Sequence, residues 1–183
     1  MAVSDQDERP ASWPKRMALL HPAWFLLAQL LTFVGQFAAL SQTPPNMILG
    51  GVCVVGMMWF LLVWTYGIYR VARDAGRDGI VSGPDRGWVF GLAAACVLIL
   101  PIALVDLPAA LGGLRDLVGG VGVLSFFASF WLAAAALVAA EGHPARYPTN
   151  RAVGAFLLIV YSLIGVWFLR PRIHALLQSS GAR

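Results

Sequence analysis

The chain has 183 residues, 59% of them hydrophobic and 12% charged, with a net charge of +4. A soluble domain carries about 25% charged and about 45–50% apolar residues, so a soluble core cannot absorb this much apolar surface and the bilayer must take the excess. The positive charges flank apolar runs and form no dense stripe, which excludes nucleic acid as the main partner and fits membrane orientation.

The chain opens on MAVSDQDERPASWPKR, polar and of mixed charge. Residues 1–16 are expected to form a disordered tail, with Trp13 resting at the headgroups. No cleavage box follows, so the first apolar run is expected to be a retained span and not a signal sequence.

From Met17 to Tyr69 there is no Asp, Glu, Lys or Arg, and the only polar break is Ser41-Gln42-Thr43-Pro44-Pro45-Asn46. A span needs about 20 apolar residues, so this stretch holds two, over 18–40 and 47–69, joined by a Pro-rich turn. Trp64, Tyr66 and Tyr69 close the second and Trp88 opens the next, where an aromatic belt belongs.

The segment RVARDAGRDGIVSGPDR follows. Arg70, Asp74 and Arg77 stand four and three residues apart, a spacing that lets the second helix continue past the membrane on paired charges. Arg70, Arg73 and Arg77 are candidates for anchoring on lipid headgroups. An ordinary solvated loop accounts for the same residues.

A third span is expected over 87–105, a fourth over 117–140 and a fifth over 152–169, with 171–183 as a tail carrying a short interfacial helix whose Ile173, Leu176 and Leu177 face lipid. The runs are continuous, which favours helices over an alternating β-barrel pattern. The fold class is thus an all-α membrane protein, a bundle of five transmembrane helices within 17–170.

Orientation exposes a conflict. With five spans and the N-terminus inside, nine Lys and Arg fall inside and four outside. An alternative of four spans, with 87–111 entering and leaving on one side at Pro101 and Pro108, gives eleven against two. Length favours five spans, since 87–105 can cross by itself. Both place the N-terminus in the cytoplasm. Lysine is nearly absent while Arg, Ala and Gly abound, a bias typical of a GC-rich bacterial genome, so the expected location is a bacterial inner membrane.

Few polar residues lie at membrane depth. His21, Gln29, Thr32 and Gln36 share one helical face. Such a stripe lines a solute path or hydrogen-bonds neighbouring helices, and helix packing is the commoner role. Asp106 is either a functional carboxylate in the membrane or an interfacial partner of Arg115. Small residues recur every four positions at Gly87, Gly91 and Ala95 and again at Ser125, Ser129 and Ala133, which favours close helix packing. Cys53 and Cys96 sit in apolar runs and read as small hydrophobes. His21 is the only histidine near a span, so a haem or metal site lacks ligands and no cofactor is expected. Glu141 and His143 are a weak acid–base pair with no nucleophile beside them.

No catalytic residue is assigned. The sequence fits best an accessory or scaffold component of a membrane complex, whose partners are the bilayer and either another membrane protein or further copies of itself. A small-solute transporter or channel acting as a homo-oligomer comes next, and a lipid- or quinone-modifying enzyme last.

Overall fold

The computed structural model describes residues 12–76, 84–106, 112–142 and 149–181. Every regular element among them is a helix. These are α1 (Trp13–Ala18), α2 (Pro22–Leu40), α3 (Met47–Ala75), α4 (Trp88–Asp106), α5 (Gly112–Ala140), α6 (Asn150–Val160) and α7 (Ser162–Gly181). Three of them, α2, α3 and α5, are long and apolar enough to cross a membrane.

Local chemistry sets the helix starts. The His21 ring nitrogen Nδ1 accepts from the Ala23 amide at 3.2 Å, with Pro22 supplying a pre-set φ at the first helical position. Asn46 caps α3 by accepting from the Leu49 amide at 3.0 Å, and Thr149 caps α6 by accepting from the Ala152 amide at 3.2 Å. Residues 13–16, expected in the tail, are helical. They pack on α3, where a Cβ at Gly67 would come within 2.8 Å of the Pro14 carbonyl. Trp13 stacks on Tyr66 at 5.7 Å between ring centroids.

Helices α2 and α3 form an antiparallel hairpin. Phe25 meets Trp64 at 4.9 Å between centroids, and a Cβ at Gly35 would lie 2.7 Å from the Cys53 sulfur. Helices α3 and α5, each of 29 residues, run parallel. Leu62 and Phe126 share a small cluster, while 64–72 and 130–138 contribute to a larger one. Helix α4 returns antiparallel to α5 and packs tightly where a Cβ at Gly122 would be 3.1 Å from the Cys96 Cβ. It runs as one helix from Trp88 to Asp106 through Pro101, so the bend at Pro101 that the four-span alternative required is not seen over this stretch.

The expected fifth span over 152–169 is instead two helices. Helix α6 stops at Val160, Tyr161 takes φ −88° and ψ 51°, and α7 starts at Ser162. The chain then folds back. A Cβ at Gly165 would run into the Leu158 carbonyl, so only glycine permits this approach. Eleven residues of α6 rise about 16 Å, roughly half of a bilayer core. Ile173 and Leu176, expected to face lipid, are buried in the main cluster with Val71 and Ala72. The return of α7 lays its second half over the end of α3, which explains the difference.

One end of the bundle is therefore the packed end. It holds α1, the start of α2, the end of α3, the start of α4, the end of α5, the mouth of the α6–α7 hairpin and most of the core.

Candidate functional site

Two polar constellations form at the packed end. The first joins α3 to α4. The Tyr69 phenol donates to a carboxylate oxygen of Asp85 at 3.0 Å and accepts from the Arg86 amide at 3.1 Å. The same Asp85 oxygen accepts from the Gly87 amide at 2.9 Å. Its other oxygen meets Arg70 at 3.5 Å, while Arg73 donates to the Pro84 carbonyl at 3.1 Å. The Gly87 amide and then the Tyr69 phenol hold the Asp85 carboxyl below the ordinary carboxylate value, against an upward push from burial, with Arg73 and Arg70 adding less. Arg70 thus pairs across the loop with Asp85, where the sequence suggested Asp74. Arg77 lies outside the described residues.

The second lies between α5, α6 and α7. Glu141, just past the end of α5, accepts from Arg172 Nε at 2.6 Å and from Arg172 Nη2 at 2.7 Å. This fork-to-fork geometry is the strongest form of such a pair. Both side chains are half-buried, at 21% and 30% exposure. They sit at the mouth of an open groove of about 740 Å³ that Arg151, Gly154, Leu157, Leu158, Tyr161 and Ile164 also line. One end is charged and the rest apolar, which suits an amphiphile. The sequence coupled Glu141 with His143. His143 lies outside the described residues, and the carboxylate is held by Arg172 from 31 positions away.

The stripe on α2 divides. His21 is exposed and serves as the helix cap. Gln29, Thr32 and Gln36 are half-buried and fall on the same strip as Phe25, Gly35 and Ala39, the side that packs on α3. The Thr32 hydroxyl donates to the Ala28 carbonyl of its own helix at 2.9 Å. Neither glutamine amide has a hydrogen bond within the described residues. Ser125, Ser129 and Ala133 are buried. Gly91 and Ala95 are exposed, and a Cβ at Gly91 would meet open space, because α4 turns Ala93, Cys96 and Val97 inward instead. Asp106 ends α4, and its pairing with Arg115 concerns side chains outside those described.

Asp85, Arg151, Tyr161 and Arg172 were not singled out as site residues from the sequence. Asp85 meets Tyr69 from 16 positions away and Arg172 meets Glu141 from 31, so no local spacing marks either pair. The one available signal was the cluster of arginines after 169, which sits poorly with five spans under the charge rule. The chain matches no protein-family model, no curated protein and no solved structure.

Proposed function

We propose that this protein is an accessory component of a bacterial inner-membrane assembly, docking onto a partner's helices through the α2–α3 hairpin. The observation that carries this is the pair of glutamine amides. Gln29 and Gln36 lie half-buried along the hairpin seam without hydrogen bonds among the described residues. Hydrocarbon offers them none, whereas a neighbouring helix does. The flanking faces present Leu30, Phe33, Val34 and Phe37 outward. Lipid suits those faces equally well, so the amides carry the choice.

The proposed topology has four spans, α2 to α5, with α6–α7 entering and leaving on one side in place of a fifth. Among the described residues, Lys15, Arg16, Arg70, Arg73, Arg86, Arg151, Arg170 and Arg172 belong to the packed end, and Arg115 to the opposite one. That asymmetry orients the packed end to the cytoplasm. It also removes the conflict between length and charge, since the re-entrant element is α6–α7.

A transport role through the α2 stripe is the second reading. The position of Gln29 and Gln36 on the α3-facing strip favours packing over a water-filled path.

Native mass spectrometry of the mildly solubilised protein from its host tests the choice. The expected result is a stoichiometric second membrane protein, released when Gln29→Leu and Gln36→Leu are combined. A bare homo-oligomer, unchanged by that double substitution, overturns the accessory role.

A further inference from the structure

We infer that the cavity between α7 and the start of α2 is a binding site for a phosphate group, carried by a lipid headgroup or by a free anion. It uses neither glutamine of the α2–α3 seam and holds whether or not a protein partner docks there.

The cavity encloses about 290 Å³ and is lined by Pro22, Trp167, Arg170, Pro171 and His174. Four of these five belong to one face of α7, where 167, 170, 171 and 174 recur at three- and four-residue steps. The volume falls at the small end of ligand pockets, enough for a headgroup and not for a whole lipid.

Arg170 carries the argument. It is half-buried, and its Nε is buried without a hydrogen-bond partner. Arg172, two residues on, is held by Glu141, but no carboxylate pairs with Arg170 among the described residues. A guanidinium withdrawn this far from water calls for an anion, and the described residues supply none.

The donors select the anion. His174, one turn on, lines the same space and has no hydrogen bond among the described residues. In either neutral tautomer its ring keeps one N–H donor. Donors on successive turns favour phosphate over carboxylate. A planar arginine fork takes both oxygens of a carboxylate, whereas a tetrahedral phosphate keeps oxygens for a second donor. The first turn of α2 adds no amide here. Pro22 has no N–H, and the Ala23 and Trp24 amides are taken by His21. The site therefore rests on the side chains of α7, with Pro22 and Pro171 as stiff walls.

The test uses the full chain in detergent, with phosphatidylglycerol, diacylglycerol and inorganic phosphate as probes. Lipid retention is read by native mass spectrometry and stabilisation by thermal unfolding. Phosphatidylglycerol is expected to be retained and to raise Tm, and diacylglycerol, which lacks the phosphate, is not. Arg170→Gln should weaken that retention about ten-fold, the loss of one charge-assisted hydrogen bond, and His174→Ala about three-fold. A Tm rise with inorganic phosphate that Arg170→Gln removes supports the site with a free anion as its source. Retention of phosphatidylglycerol that needs Arg170, without an effect of inorganic phosphate, supports it with the lipid as source. Diacylglycerol retained as well as phosphatidylglycerol, no response to either phosphate probe, or binding unchanged in Arg170→Gln each overturns it. If Arg170→Gln does not fold, Arg170→Lys keeps the charge, removes the fork and should still weaken binding.

Discussion

The Tyr69 phenol bridges Asp85 and the Arg86 amide, fastening the end of α3 to the start of α4 across a 16-residue separation. Tyr69 is buried in the main cluster while its oxygen reaches the polar surface. Replacing it with Phe keeps the ring and removes the bridge. The expected loss is about 1–2 kcal/mol, measured by chemical unfolding in detergent micelles.

The same fastening predicts a pH dependence. The Asp85 carboxyl is held below its ordinary value of 3.8 by the Gly87 amide, the Tyr69 phenol and the two arginines. A depressed folded-state value means the unfolded chain binds the proton first. The contribution is complete above the unfolded value and disappears as pH falls through the folded one. The stability gap between wild type and Asp85→Asn should be constant near neutrality and shrink at acid pH. A gap that widens on acidification would contradict this assignment.

Two glycines on the hairpin should behave oppositely. Gly165→Ala drives a methyl into the Leu158 backbone and should cost about 3 kcal/mol or more, since backbone cannot step aside as a side chain can. Gly154→Ala projects into open space within a helix and should be neutral or stabilise by up to about 1 kcal/mol. Thermal unfolding of the two variants side by side checks the contrast.

Removing one partner of the Glu141–Arg172 pair strands the other, half-buried, charge. Glu141→Gln should cost about 2 kcal/mol, below the value for a fully buried pair because both groups keep some solvent. A double-mutant cycle with Arg172→Gln should return a coupling energy of at least about 1 kcal/mol. Additive losses would show that the contact contributes no stability of its own.

Topology is open to direct labelling. With Cys53 and Cys96 replaced by alanine, single cysteines at Asp74 and Gln178 should react from the same side of sealed vesicles, and one at Gln42 from the other. Labelling of Gln178 together with Gln42 would restore a fifth span.

Much of the architecture was legible in the sequence because charge-free length is a direct consequence of bilayer thickness. The runs 18–40, 47–69, 87–105 and 117–140 each lie within, or nearly within, one long helix. Direction of travel was not legible in 152–169. Hydropathy reports how apolar a run is and says nothing of whether it turns back at Tyr161. The turn depends on Gly165 meeting Leu158, a contact between residues that one straight helix would hold about 10 Å apart. The surplus of positive charge in the tail marked a conflict with five spans, but the alternative it suggested was a bend in 87–111. The groove was hidden for a related reason. Its charged members come from three helices, and the Glu141–Arg172 pair spans 31 positions.

On the four-span topology, a hairpin that reaches only about half-way has a consequence for the lipid around it. Helices α6 and α7 add cross-sectional area to the cytoplasmic leaflet and almost none to the other. The protein is then a wedge, broader on one side of the midplane, and neighbouring lipids must tilt to fill the narrower side. Such a shape is least costly where the membrane already bends toward the broad face, so curvature itself becomes a factor in where the protein collects.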